Sequence, residues 1–495
     1  MKKFLLVSLL CSLAIPTFTE NEELTLEQRI EKLEKIIEEQ NKELKKQKID
    51  IKKNEKKLSL ATQEKPKDAD GELQFHGYLR TGAEGNMKHG NKNTYSRDKQ
   101  YVGRWGNEFD TNFNINFSKK FTQSNGAWTK LVVQLENWSD NYDNNVGDYK
   151  IDLTELYIEM GNVPMFTGAF KDAKIVAGKK KWDAQQVEIL DYYYQDVKGT
   201  GLGLEGIRLW NGSLNLTYIS NDFKDGELSN IKGKKAEDVR AYKAKYTHGD
   251  ISGEVMYAHA TDNDKIKKYK NNLENWNRDA ADDGFYAGLY YQPDNFFGLE
   301  GKGQHYLQYA TGILAGEGIG KIETDANKRA ANDAVTYQLG LGGTVRLGDR
   351  THMLVSYRGL RAQNIEARKT VSYWHDENNP TDMSPYVGSW RAKDLETDAL
   401  VLRPIYYINQ NLDLWMEAGI ARKDTESYSG ATEDHLLYKI SAGPQLKYYV
   451  GSAETSLRLF VTYIGDKKTE RKENGVTTRS TVEDVITGFQ ISAWW

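Results

Sequence analysis

Aromatic and charged side chains share one face of an extended chain near both ends of this 495-residue sequence. In residues 73–80 every second position is apolar or glycine, which leaves Tyr78 and Arg80 on the opposite face. In residues 485–495, Trp494 falls on the face that is mostly small and polar. A ring on a wet face can stack on a sugar whose hydroxyls reach charged neighbours. The pattern predicts carbohydrate binding, unless each ring is a membrane-interface girdle residue or a loop anchor.

Two further segments repeat this alternation and add candidate lining residues. Residues 412–420 are apolar at even positions, so Trp415 and Glu417 face the other way. Residues 457–463 are apolar at odd positions and leave Arg458 on the polar face. A wall with one apolar and one wet side separates lipid from an aqueous lumen, but a soluble sheet packed on a core shows the same pattern. The connections between strands must distinguish the two.

Short and long connections alternate along residues 71–495. Tight turns lie near residues 123–126, 161–164, 211–213, 248–250, 293–295, 347–349, 409–411 and 451–453. Longer polar segments lie near residues 83–103, 137–150, 179–199, 222–238, 260–283, 313–332, 361–396, 422–435 and 464–481. Eight turns and nine long segments predict eighteen strands with both ends on the short-turn side. A soluble sandwich gives no reason for this segregation, so we predict an all-β membrane fold, an 18-stranded antiparallel transmembrane β-barrel over residues 71–495.

The third long segment, residues 179–200, is unusually apolar and aromatic for a solvated loop. Folded into the barrel, it would narrow an opening that eighteen strands otherwise leave wide. Asp191 and Tyr193 are then the candidate constriction groups. The alternative is a loop that packs at a contact between subunits.

The residues before the barrel divide into three segments. Residues 1–19 combine two lysines with an apolar run and predict a secretory signal peptide. Residues 20–58 repeat apolar side chains at heptad spacing, at Ile30, Ile37, Leu44, Ile51 and Leu58, and predict a periplasmic coiled coil in an oligomer. The alternative is a single charged helix in solvent. Residues 59–70 are a linker.

The composition excludes several function classes. The single cysteine, Cys11, lies in the signal peptide, so the mature chain has no disulfide, no thiol catalysis and no cysteine-based zinc site. A net charge of -4 argues against a general nucleic-acid binder. His-Glu-x-x-His and Gly-x-Ser-x-Gly are both missing, which argues against an enzyme. We therefore expect no catalytic residues, no cofactor and no metal.

Several motifs resemble the maltoporin and sucrose porin family. They fall, in order, at residues 75–82, 104–108, 178–180, 191–196, 201–205, 308–310, 403–404, 416–417, 457–463 and 494–495. The likeness spans the whole barrel, and the added coiled coil is similar to that of sucrose porins. The resemblance implies a homotrimeric, sugar-selective channel in the lipid of the bacterial outer membrane. Its sugars would be oligosaccharides such as maltodextrins, or disaccharides.

The resemblance also implies roles for individual residues. Tyr78 and Trp494 match the family's aromatic track, and Tyr193 matches its constriction tyrosine. The charged lining residues match Arg80, Arg104 and Asp191.

Other positions depart from the family. Asn112, Ala184, Gln186, Ala287 and Ile408 stand where the family has aromatic or charged lining residues. Phe285 and Trp415 lie close to two of these positions and are candidate replacements. An aromatic reaching in from a neighbouring subunit would lie near Trp138 or Tyr142. These departures leave two alternatives open: a general diffusion porin without sugar selectivity, and an outer-membrane anchor or tether that uses the coiled coil.

Overall fold

The computed structural model describes residues 71–87, 98–108, 110–140, 151–221, 238–261, 281–322, 330–366, 369–371, 385–387, 392–472 and 474–495, together with Lys35, Glu38, Glu39 and Lys42. The chain forms two compact units, Met1–Lys67 and Asp68–Trp495. In the first unit the four described residues are helical, and Lys42 pairs with Glu38 at 3.2 Å. The predicted signal peptide, the rest of the predicted coiled coil and the predicted linker lie outside the described residues.

Strands contain most of the described residues of the second unit. They are β1 (Gln74–Asn86), β2 (Asp110–Thr122), β3 (Trp128–Asp140), β4 (Asp152–Gly161), β5 (Lys174–Val187), β6 (Tyr192–Leu209), β7 (Gly212–Asn221), β8 (Asp238–His248), β9 (Ile251–Thr261), β10 (Asp283–Tyr291), β11 (Asn295–Phe296), β12 (Leu299–Thr311), β13 (Val335–Gly348), β14 (Thr351–Gln363), β15 (Lys369–Val371), β16 (Pro385–Val387), β17 (Ala392–Tyr407), β18 (Leu412–Ser427), β19 (Thr432–Val450), β20 (Ala453–Arg471) and β21 (Thr477–Trp494). Among the described residues of this unit, the strands are interrupted by one short helix, α1 (Lys99–Val102), and by single 3-10 turns at Gly168–Phe170, Glu188–Leu190 and Gly312–Leu314.

Eighteen of these strands form one closed antiparallel barrel. Each pairs with its neighbours in sequence, and β1 pairs with β21 to seal the cylinder. Two backbone hydrogen bonds between Gly77 and Trp495, at 3.0 and 3.1 Å, extend this seam by one rung. The strands β11, β15 and β16 are short and stand outside the eighteen. The predicted strand number is confirmed, and the alternative of a soluble sandwich is excluded.

Alternation along the strands gives the barrel an apolar outside and a polar inside. Phe75, Leu414, Val461 and Phe489 are exposed on the outer face, as expected where lipid replaces water. The residues that alternate with them along each strand point to the inner face and are buried or hydrogen-bonded. Arg80 is an example, since it is buried and donates to Asp110. No helix among the described residues is both long enough and apolar enough to span a bilayer.

Three predicted long segments are wrong in length. Residues 422–435 and 464–481 are mostly strand, with connections of only 428–431 and 472–476. In the third segment, only residues 188–191 separate β5 from β6. The polar ends of β18 to β21 remain paired as strands. Opposite charges on neighbouring strands, such as Glu433 and Lys468 at 3.0 Å, stabilise a sheet that is exposed to water. Conversely, the turn predicted near 161–164 extends over residues 162–173.

Residues 98–108, here called the first-loop segment, lie against the inner wall formed by β17, β18 and β19. Gly103 and Gly106 have φ angles of 91° and 82°, which disfavour any side chain. A Cβ atom at Gly106 would also collide with Thr462 and Ser441. The two glycines therefore allow the backbone to run flush with the wall.

Candidate functional site

An aromatic pair stands on the inner face at the seam of the barrel. Tyr78 and Trp494 are direct cross-strand partners, and their ring centroids lie 4.2 Å apart with a 39° angle between the planes. Trp494 keeps 56% of its surface exposed, and Tyr78 is partly exposed. The two predicted aromatic residues thus form one open apolar surface.

A cluster of buried ion pairs lies next to this pair. Arg80 contacts Asp110 at 2.7 Å and Glu108 at 3.0 Å, and Arg104 contacts Glu108 at 2.9 Å. The same two guanidinium groups donate hydrogen bonds of 3.3 and 3.4 Å to the hydroxyl of Tyr78. Arg80 and Arg104 therefore fix both the carboxylates and the orientation of the stacking tyrosine.

Lys99 connects the first-loop segment to the tip of the β5–β6 hairpin. Its ammonium group lies 2.6 Å from Asp191 and 2.9 Å from Asp110. Sequence reasoning missed Lys99, since no pattern around it distinguishes it from other lysines. Oxygens of Glu108, Asp110 and Asp191 lie within 4.8 Å of one another, close enough for one metal ion. Arg80 and Lys99 already neutralise these acids, so the cluster is complete as a set of salt bridges.

The hairpin tip contacts several strands of the far wall. Glu188 pairs with Arg403 at 2.7 Å, and the carbonyl of Ile189 accepts a hydrogen bond of 3.1 Å from the backbone of Arg104. Tyr192 donates to Gln338 at 2.8 Å. Tyr193 points the other way and is partly exposed. The tip is thus held on both sides of Asp191 and Tyr193.

Trp105 anchors the first-loop segment. The guanidinium groups of Arg403 and Arg458 lie 3.8 and 4.3 Å from its ring, and Trp415 makes an edge contact at 5.2 Å. Trp415 is only 3% exposed. It faces inward as the alternation predicts, but it lies beneath Trp105 and offers no free ring. Arg458 is half-buried and donates to Gln490 and Ser492.

Glu417 is completely buried and connects the strands of the inner wall to the first-loop segment. Its carboxylate lies 2.6 Å from Arg403 and 2.6 Å from Lys439, and it accepts a hydrogen bond of 3.0 Å from the backbone of Trp105. Lys439 donates to the carbonyls of Gly103 and Trp105 at 2.7 and 2.9 Å. The alternation of β18 predicts Glu417 as a charged lining residue that points inward. The structure instead places the first-loop segment over it.

The two remaining aromatic candidates lie in different environments. Phe285 is exposed on the outer face, because Tyr286 and Tyr290 of the same strand take the inner positions. It therefore cannot stack on a solute inside the barrel. Trp138 is the cross-strand partner of Asn112, exposed, and its indole donates to Asp110 at 3.0 Å. The structure thus connects Trp138 to the ion pairs of its own chain.

The two loop carboxylates of the cluster, Glu108 and Asp191, have lowered pKa values. Burial opposes ionisation of Glu108, but Arg104 and Arg80 hold its pKa well below the usual value. Burial likewise opposes ionisation of Asp191, and Arg104 and Lys99 lower its pKa. Both groups therefore stay ionised at neutral and mildly acidic pH.

These ion pairs are expected to contribute the same stability from pH 7 to about pH 5 and to weaken only below about pH 4. A carboxylate with a depressed folded pKa stabilises the fold above its unfolded pKa and loses that contribution as the pH falls through the folded value. The contribution of Glu108 can be measured as the difference in urea midpoint between the natural protein and Glu108→Gln in detergent. A difference that shrinks between pH 7 and about pH 5 would contradict the depressed pKa.

Comparisons with known proteins cover the same residues. A family model described as LamB porin matches residues 73–495. A maltoporin of Vibrio cholerae is 25% identical over 440 residues, which cover 86% of this chain and 95% of that protein. Maltoporin 1 of Aeromonas salmonicida is 25% identical over 462 residues, covering 86% and 94%. The solved structure of OccK2 (OpdF) of Pseudomonas aeruginosa is 11% identical, covers 86% of this chain and 98% of that chain, and has a TM-score of 0.43. The family match includes every strand of the barrel.

Proposed function

The chain belongs to the LamB porin family, and from this we propose that it is a bacterial outer-membrane channel for the facilitated diffusion of sugars. Its relatives that carry the name maltoporin support this proposal. The observation that carries it is the exposed Tyr78–Trp494 pair beside buried ion pairs. An apolar surface for sugar rings and fixed charges for their hydroxyls are the two parts that a sugar channel needs.

The tip of the β5–β6 hairpin is the proposed constriction. Its contacts with Arg104 and Arg403 support a course through the interior. Tyr193 and the partly exposed Asp191 then face the passing solute from this side, and Tyr78, which the buried Arg80 orients, faces it from the wall. A sugar ring at this height would meet an aromatic surface and an ionised edge together.

Block of single-channel current by sugars tests the proposed function. We expect saturable block in planar bilayers when mono-, di- and oligosaccharides are added to the purified protein. The reason is that a stacked sugar dwells in the channel and excludes ions. The absence of saturable block by every sugar would exclude sugar selectivity.

A general diffusion porin is the second candidate. Two observations favour it: Asn112 stands on the inner face, and neither Trp415 nor Phe285 supplies an open ring in the lumen. The variant Tyr193→Ala separates the candidates. In a sugar channel it is expected to weaken sugar block about tenfold, by loss of one contact of about 1.4 kcal/mol. In a general porin, flux follows solute size and charge, and Tyr193→Ala leaves it unchanged.

Residues 20–58 form the proposed periplasmic coiled coil of a homotrimer, after a signal peptide at residues 1–19 and before a linker at residues 59–70. The heptad repeat supports this assignment, because such a seam is buried only against other copies. Deletion of residues 21–70 is expected to lower the temperature at which the trimer dissociates in detergent, measured by electrophoresis, while sugar block persists. Loss of envelope attachment with an unchanged trimer would instead favour the tether.

A further inference from the structure

The Tyr78–Trp494 pair belongs to a longer row of inward side chains. Across the strands β19, β20, β21, β1, β2 and β3, the register aligns Tyr449, Glu454, Trp494, Tyr78, Asn114 and Glu136. We call these six residues the stacking row. Directly opposed residues of antiparallel strands lie about 4.5–5.5 Å apart and point to the same face. Glu454 therefore stands immediately beside Trp494, and Asn114 stands immediately beside Tyr78.

The face of the stacking row is fixed by its neighbours. Ser456 and Ser492 lie two residues from Glu454 and Trp494 along β20 and β21. They are buried and share a hydrogen bond of 2.8 Å on the inner side. Residues two positions apart in a strand share a face, so Glu454 and Trp494 also point inward. Lys447, two positions from Tyr449 on β19, pairs with the buried Asp413 at 2.7 Å, so Tyr449 also points inward. The row is thus part of the lining.

Glu454 differs from two other inner carboxylates, Glu136 and Asp413, in that no described cation pairs with it, although its charge acts on the nearby Tyr407 hydroxyl. Glu136 pairs with Lys181 at 2.6 Å, and Asp413 pairs with Lys447 at 2.7 Å. Within the part of the chain that the structure describes, the Glu454 side chain makes no hydrogen bond and no ion pair. It is half-buried rather than fully solvated. A carboxylate placed in this way beside an aromatic surface has unused acceptor capacity directed at the lumen.

We propose that Glu454 is a sugar-binding residue that accepts hydrogen bonds from the hydroxyls of a neutral sugar stacked on Tyr78 and Trp494. The inference rests on the proposed function and specifies the ligand class at that site. A carboxylate can bond two hydroxyls at once, and bonds to a charged acceptor are stronger than neutral ones. Asn114 supplies an amide on the other side of the pair. The ring is then held by a face contact and by polar groups at two edges.

Tyr449 extends the site by one ring. It is 51% exposed and lies on the far side of Glu454 from Trp494. A carboxylate between two open aromatic rings fits a ligand of two linked sugar units, each stacked on one side. A negative charge at this position disfavours sugar acids and sugar phosphates, because a like charge would meet Glu454 at short range. The negative charge at Glu454 therefore predicts a preference for neutral over anionic sugars at this site.

Sugar block in planar bilayers tests the inference with Glu454→Gln. Maltose, sucrose and maltotriose are the neutral probes, and glucuronic acid is the anionic probe. Glu454→Gln is expected to weaken block by at least one neutral probe about tenfold, because a charge-assisted hydrogen bond becomes a neutral one. It is also expected to reduce the preference for neutral over anionic sugars. Since no described residue forms a hydrogen bond or an ion pair with the Glu454 side chain and glutamine has the same shape, the folded barrel is expected to persist.

Asp349→Asn is the matched control. It removes one negative charge from a fully exposed side chain in the turn between β13 and β14, and it is expected to leave block unchanged. The inference is overturned if neutral sugars block the natural protein and Glu454→Gln equally well, and if both proteins show the same preference for neutral sugars over glucuronic acid. The sugar channel itself would stand in that case. Natural protein that no sugar blocks would overturn both.

Discussion

Replacement of Glu417 by alanine is expected to destabilise the protein by about 3–5 kcal/mol and to release the first-loop segment from the wall. The carboxylate is completely buried and neutralises Lys439 and Arg403 at 2.6 Å each. Without it, the ammonium group of Lys439 keeps only carbonyl and amide acceptors. The backbone N–H of Trp105 also loses its acceptor. A buried charge without a counter-charge is among the most costly defects in a folded protein.

Urea unfolding in detergent measures the loss of stability, and single-channel recording measures the release of the segment. We expect a lower urea midpoint and a larger, noisier conductance, because residues 98–108 would no longer be pinned to β17–β19. Glu300→Ala is the control, since Glu300 is an exposed carboxylate that pairs with Arg346 at 2.7 Å near a tight turn. Exposed pairs of this kind contribute about 0–1 kcal/mol. An equal midpoint for Glu417→Ala and Glu300→Ala would contradict the anchoring role.

The double variant Tyr78→Ala/Trp494→Ala is expected to weaken sugar block about a hundredfold, while the barrel remains folded. The two rings form one surface, with centroids 4.2 Å apart, and Trp494 is more than half exposed. A sugar ring would lose its apolar contact and keep only the polar groups beside it. Each single variant removes part of the surface, so the two effects are expected to be non-additive.

Titration of sugar against single-channel current gives the dissociation constants for this comparison. Phe285→Ala is the matched control, because it removes an aromatic side chain of similar size from the outer face. We expect it to leave block unchanged. Unaltered block in the double variant would show that the aromatic pair takes no part in transport.

Alternation and turn chemistry were sufficient to predict the barrel. Along residues 73–80 and 485–495, the two-residue period assigns Phe75 and Phe489 outward and Arg80 inward, and the structure agrees. These faces depend only on neighbouring residues of one strand, so the sequence contains them. Lengths of loops depend instead on pairing with another strand. The arms of β18 to β21 therefore continue through residues whose polarity predicts a loop.

The interior could not be predicted in the same way. Alternation correctly turns Trp415 and Glu417 inward, but it does not reveal that the first-loop segment covers them. That contact joins residues more than three hundred positions apart and leaves no periodic signal. Phe285 shows a different failure: the family resemblance locates the segment, but Phe285 alternates with the inward Tyr286, so its ring lies on the outer face. Lys99 was missed because its partners, Asp110 and Asp191, lie in other segments of the chain.

The seam between β1 and β21 has a consequence for how the cylinder can fail. Each of the eighteen strands pairs with two neighbours. The pairing of β1 with β21 joins segments from opposite ends of the barrel sequence. Closing so long a span carries the largest entropic cost of any pairing in the molecule. Until this pairing forms, β1 and β21 are edge strands with unpaired backbone N–H and C=O groups. Another chain whose barrel is not yet closed can pair with these edges. Protection against fibrous association therefore depends on completion of this one junction.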